Sequence, residues 1–178
     1  MTTKLPGGKR SNSSGLFSEK LVIRIPAMYS KQASAILKQE FWTAFGRYLA
    51  PVLSSEGLKV NWINYKTGIK DVYFKMEADN NSASIFILLT HADPARQTSV
   101  FNLFKQLQPV LQTALKEEWR WVQGVAGEND KTVSKIYTSL NGVSIYKKED
   151  WPLIISFLKP RMIALDAFWN EVKFGFET

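Results

Sequence analysis

Cysteine is absent from the 178 residues, which excludes disulfides and thiolate metal sites. Long apolar runs are absent too. Nothing approaches the roughly 20 residues that cross a bilayer, and the best signal-like stretch, residues 21–25, is short and broken by Arg24. Together these point to a cytoplasmic protein that does not enter membranes. Histidine occurs once, as His91, so a Cys–His pair is excluded and no Ser-His-Asp pattern is apparent. Glycines adjoin only at Gly7-Gly8, and no phosphate-cradling or dinucleotide motif is present.

Aromatic residues are plentiful. They make up 13% of the chain, with six Trp and eleven Phe, enough to fill one sizeable core. The net charge of +7 is unevenly spread. Five of 23 basic residues but one of 16 acidic residues lie within residues 1–27. The rest of the chain is only mildly basic, which weakens any argument for nucleic acid from net charge. Residues 1–27 are rich in Gly, Ser and Asn, and a disordered basic tail is expected there, followed by a single domain over 28–178. Met28, where patterning begins, is an alternative start.

A helix capped at Ser30 is expected to reach Ala50, with Leu37, Phe41, Phe45, Tyr48 and Leu49 on its apolar stripe and Trp42 beside it. Leu58, Val60 and Trp62 alternate with polar residues, as do Val72, Phe74, Met76 and Ala78. With Lys66-Thr-Gly68 between them, these runs predict a β-hairpin. Residues 83–89 are apolar on both faces and read as a central strand. Asp93 and Pro94 open a second helix, with Phe101, Phe104, Leu107, Leu111 and Leu115 inward; Pro109 should kink or divide it. Strands follow at 118–121 and 133–140, with a short one at 143–146. A last helix begins near Pro152 with Ile154, Leu158, Met162, Leu165, Trp169 and Val172 on one face, and Pro160 should bend it. The order α-β-β-β-α-β-β-(β)-α is an α+β fold, a mostly antiparallel mixed sheet packed by three main helices. Trp42, Phe45, Phe86 and Trp169 are expected in its core.

That order also fits a restriction-nuclease core, whose chemistry needs acidic Mg²⁺ ligands and an acid-x-Lys pair on the third strand. The predicted third strand, residues 85–89, has no charge. Glu171-Val-Lys173 falls in a helix, where i and i+2 diverge. Asp71, Glu77 and Asp79 read as solvated hairpin charges. His91, after the central strand, could act as a general base or simply bond its loop. No catalytic residue, metal ligand or cofactor is therefore assigned.

A non-catalytic site remains. On the outer face of the predicted hairpin, Lys59, Tyr65, Tyr73 and Lys75, with Lys66 and Lys70 at the turn, form a candidate nucleic-acid surface, its rings stacking on bases and its lysines meeting phosphates. The competing reading is an ordinary mixed-charge surface, since Asp71 and Glu77 share the face. Trp119 and Trp121 read as core or protein interface.

Three blocks carry a family likeness: Lys38-Gln-Glu-Phe-Trp-Thr-Ala-Phe-Gly46, Gly57-Leu-Lys-Val-Asn-Trp-Ile-Asn-Tyr-Lys-Thr-Gly-Ile69, and Asp150-Trp-Pro152 with Ala167-Phe-Trp169. Over residues 29–177 the chain resembles the bacterial domain-of-unknown-function family 4268, as a short, stand-alone member. Longer members carry this domain behind a region similar to restriction-type nucleases, which implies an accessory role near DNA. The expected function is a small non-enzymatic accessory or interaction domain associated with nucleic acid. The alternative is a degenerate or divergent restriction-nuclease-like enzyme. The expected partner is nucleic acid or another protein, a homo-oligomer is compatible, and no membrane is involved.

Overall fold

A computed structural model describes residues 31–177. The predicted tail, the alternative start at Met28 and the cap at Ser30 lie outside the described residues.

Among the described residues, four α-helices and a four-stranded antiparallel sheet make up an α+β fold. In chain order they are α1 (Lys31–Leu49), β1 (Val72–Ala78), β2 (Ser82–Leu89), α2 (Pro94–Gln106), α3 (Gln108–Leu115), β3 (Arg120–Ala126), β4 (Thr132–Asn141) and α4 (Trp151–Val172). The sheet order is β1-β2-β4-β3, so β2 is central, as its two-sided apolar sequence predicts. Among the described residues no helix is long and apolar enough to cross a membrane.

Local signals explain the helix boundaries. The Asp93 carboxylate accepts the Ala95 N–H at 3.0 Å and Pro94 supplies the first turn of α2. Pro109 divides the predicted long helix, with α2 ending before Leu107 and α3 starting after it. By contrast, α4 runs unbroken past Pro160. Its stripe of Ile154, Leu158, Met162, Leu165 and Trp169 is buried against the sheet face formed by Phe74, Ile85, Ile87 and Ile136.

The predicted strand through residues 58–62 does not form. Asn61 explains why: its Oδ1 accepts the N–H of Ile63 at 3.2 Å and of Asn64 at 3.0 Å, turning the chain where a strand would continue. The Trp62 indole donates to the Val52 carbonyl at 2.9 Å instead of packing as part of a ladder, and Leu58 is 59% exposed. Residues 50–71 therefore form a long irregular segment held by side chains. Its main tether is Asp166 on α4, buried, which accepts the Tyr65 hydroxyl and the Ser55 N–H, both at 2.6 Å. Residues 143–146 form no strand either; their backbone is taken up by Asp79, through the Ile145 N–H at 2.8 Å, and by Asp150, through the Ser144 N–H at 2.9 Å. Of the residues expected in the core, Phe45, Phe86 and Trp169 are buried while Trp42 is half-buried. Tyr48, expected on the buried stripe, is exposed under the Lys159 ammonium, 4.3 Å from its ring centre.

Glu117 ties the α3–β3 connection to α4. Its carboxylate takes two hydrogen bonds from Arg161, at 2.6 and 2.7 Å, and one from the Trp119 indole at 2.7 Å. Burial alone would raise its pKa, but these donors and the guanidinium charge outweigh that and hold it below the ordinary value of 4.5. A carboxyl depressed by folding contributes stability that is complete above its unfolded pKa and fades as pH falls through its folded one. Arg161→Met is therefore expected to lower stability at neutral pH and to flatten the acid side of the stability curve below about pH 4.5. Urea midpoints at pH 7 and pH 3 check this, the gap between variant and parent narrowing at the lower pH.

Candidate nucleic-acid interface

Among the described residues, α2 and α4 pack on one face of the sheet, and the opposite face carries a second set of side chains. Strand pairing sets them in rows. Lys75 of β1 pairs with Phe86 of β2, Phe86 with Tyr137 of β4, and Tyr137 with Arg120 of β3. Residues paired directly across a sheet share a face, so these four form one transverse row. The adjoining row is Tyr73, Leu88, Lys135 and Val122, and beyond Lys75 lie Glu77, Ser84 and Ser139.

Of these residues Tyr73, Lys75, Glu77, Phe86, Leu88 and Lys135 form the floor of a groove of about 510 Å³; Tyr137 and Arg120 lie outside it. The Tyr73 ring is 38% exposed with the Lys75 ammonium 5.5 Å from its centre. Phe86 is only 4% exposed because neighbours on the open face cover it, the Lys135 ammonium lying 5.1 Å from its ring centre. One wall is the β3–β4 connection, where Gly127, Glu128 and Asn129 fold over Val133. A glycine is needed at 127: a Cβ there would stand 2.8 Å from Val133 Cγ1 and 3.0 Å from the Lys131 carbonyl oxygen. Asn129 and Asp130 turn the tip with φ of +56° and +57°, a conformation that Asn and Asp tolerate better than most residues. The groove thus combines aromatic surface with Lys75, Lys131 and Lys135, opposed by Glu77 and Glu128. Chemically it can stack flat rings and neutralise phosphates.

Residues 37–173 match the family described as a domain of unknown function (DUF4268). The chain belongs to that family. No curated protein and no solved structure matches it.

Within this DUF4268 domain the six residues singled out from sequence are dispersed. Tyr73 and Lys75 stand together in the groove. Tyr65 does not join them: its ring is stacked between Trp62 and Phe74, and its hydroxyl is committed to Asp166. Burial first, and then the Asp166 hydrogen bond, push its pKa well above the usual tyrosine range, so it remains a donor. Lys66 lies in a polar hollow beside Asp166 and Lys173, Lys70 in another beside Asp71 and His91, and Lys59 is exposed on the irregular segment. Phe86, Lys135, Tyr137 and Arg120, absent from the sequence-based set, complete the rows.

The acidic residues weighed for nuclease chemistry do not converge. Among the described residues, no three His, Asp or Glu side chains cluster as a metal ion would require. The Asp79 carboxylate instead accepts the N–H groups of Asn81 and Ser82, both at 2.8 Å; the Asn81 bond foremost lowers its pKa. Lys173, the lysine of the Glu-x-Lys sequence, pairs with Glu56 at 3.1 Å.

Proposed function

We propose that this domain is a non-enzymatic module that binds single-stranded nucleic acid on the open face of its sheet. The observation carrying this reading is the transverse row Lys75–Phe86–Tyr137–Arg120, backed by Tyr73 and Lys135 in the next row. The accessible rings of Tyr73 and Tyr137, with cations beside them, offer bases a stacking platform and phosphates a counter-charge. Only an unpaired strand presents its bases that way. Discrimination among sequences is weak on such a surface, because every base has a stacking face.

The expected binding is salt-dependent, since each phosphate that a lysine neutralises releases counterions. In anisotropy titrations of a labelled oligothymidylate, Lys75→Glu with Lys135→Glu should lower the affinity. It should also reduce the slope of log affinity against log salt by about 1.4, at roughly 0.7 for each single-strand phosphate that is no longer neutralised. An unchanged slope in the double variant would remove these lysines from the interface. Lys59, Lys66 and Lys70 serve as flanking charges in this reading, and reversing them should alter the slope less.

A further inference from the structure

Helix α1 buries Phe41, Phe45 and Leu49 against the fold and leaves Ile36, Glu40, Thr43, Ala44 and Arg47 exposed. Their spacing of three and four residues sets these five on one face of the helix. That face is concave. Together with Gln39 and the half-buried Trp151 at the start of α4, it lines a hollow of about 370 Å³. The lining is chiefly apolar, with the Trp151 ring standing edge-on to Phe41 at 5.5 Å and Ile36 50% exposed. An exposed apolar concavity rimmed by charge marks an interaction surface.

The rim charges indicate what covers it. Glu40 and Arg47 flank the midpoint between residues 43 and 44 at equal distances, roughly 10 Å apart along the axis at about 1.5 Å per residue. Arg47 makes no ion pair among the described residues, and Glu40 makes one exposed pair, with Lys148 at 2.7 Å. A second α1 laid antiparallel on this face, with a two-fold axis at that midpoint, brings residue 40 of each copy opposite residue 47 of the other. Each Glu40 then meets the partner's Arg47, twice in one contact. The short side chains of Thr43 and Ala44 at the axis let the helices approach. Each Ile36 reaches the far end of the other helix, beside the partner's exposed Tyr48. Two-fold contacts have to be self-complementary in this way. A partner of uniform charge, such as nucleic acid, would be repelled at one end of the face.

We propose that α1 is the interface of a symmetric homodimer, in which a second copy of this chain packs its α1 antiparallel on the face from Ile36 to Arg47, held by reciprocal Glu40–Arg47 pairs beside the Trp151 hollow. The face shares no residue with the groove on the open sheet, so the dimer stands or falls independently of the nucleic-acid reading.

Sedimentation equilibrium of the full chain over a concentration series tests this. The expected result is a reversible monomer–dimer equilibrium. Glu40→Arg alone sets Arg against Arg across the axis, and Arg47→Glu alone sets Glu against Glu. Each should raise the dimer dissociation constant by about tenfold or more, since like charges facing one another across an interface are costly. An equimolar mixture of the two variants should associate again, because every pair in the mixed dimer is opposite in sign. Both side chains are exposed, so the variants should melt close to the parent. The chain has no cysteine, so Ala44→Cys places its only thiol beside the axis, where a short bis-maleimide should link copies in pairs. Leu58→Cys, 59% exposed on the irregular segment, should stay single under the same conditions. A parent that is monomeric throughout, as it would be if residues 1–30 of its own chain covered the face, overturns the dimer. So does a dimer indifferent to both reversals, or a mixture of the variants that fails to associate. Linkage through Leu58→Cys as readily as through Ala44→Cys overturns the placement of the axis.

Discussion

Trp169→Ala is expected to destabilise the fold by about 3–5 kcal/mol, the range for removing a large buried aromatic. Trp169 sits where three parts of the molecule meet. Its ring stacks on Phe104 of α2 at 6.1 Å, meets Phe74 of β1 edge-on at 5.4 Å and lies 4.9 Å from Phe176 near the C-terminus. Its indole N–H donates to the Thr67 carbonyl at 2.7 Å, anchoring the end of the irregular 50–71 segment. Alanine would leave a cavity among the rings and an unpaired carbonyl beneath them. At roughly 2–4 °C per kcal/mol for a chain of this size, the melting temperature should fall by about 10 °C. Trp169→Phe would keep most of the volume and lose the hydrogen bond, so a clearly smaller fall separates the two contributions. A melting temperature unchanged in Trp169→Ala would contradict the described core.

The second large effect concerns binding. Replacing both Tyr73 and Tyr137 with alanine should weaken a bound single strand by about 1–3 kcal/mol per ring that stacks, at least tenfold in total. Neither side chain is fully buried, so the fold should lose far less than it does at Trp169. The salt slope should stay near that of the parent, because the lysines are untouched. Loss of affinity with an intact slope is the signature of stacking. The lysine reversals should move affinity and slope together. An affinity unchanged in the tyrosine variant would deny these rings any part in binding.

The helices were legible from sequence because their determinants are local: Asp93 and Pro94 open α2, Pro109 breaks it from α3, and an apolar stripe at helical spacing defines α4. Residues 57–62 misled because alternation alone cannot register a competing turn. There the side chain of Asn61 captures the backbone and Trp62 reaches back to Val52. Only part of the interface was legible, for a different reason. Tyr73 and Lys75 share a face by simple alternation within β1. Joining them to Phe86, Tyr137 and Arg120 requires the order β1-β2-β4-β3, in which β4 pairs with β2 across an intervening helix pair and strand. Pairing at that separation is settled by packing rather than by any local pattern. Tyr65 went the other way. Its position beside lysines suggested a surface ring, but Asp166, a hundred residues on, draws its hydroxyl inward.

Ultraviolet cross-linking of an oligothymidylate to the full chain, followed by mass-spectrometric mapping of the attached peptides, tests the central claim most directly. The account predicts cross-links at Tyr73 and Tyr137, on β1 and β4 of one sheet face, and their loss in the Lys75→Glu, Lys135→Glu variant. Cross-links confined to residues 1–27, or to the 50–71 segment around Tyr65, would contradict it.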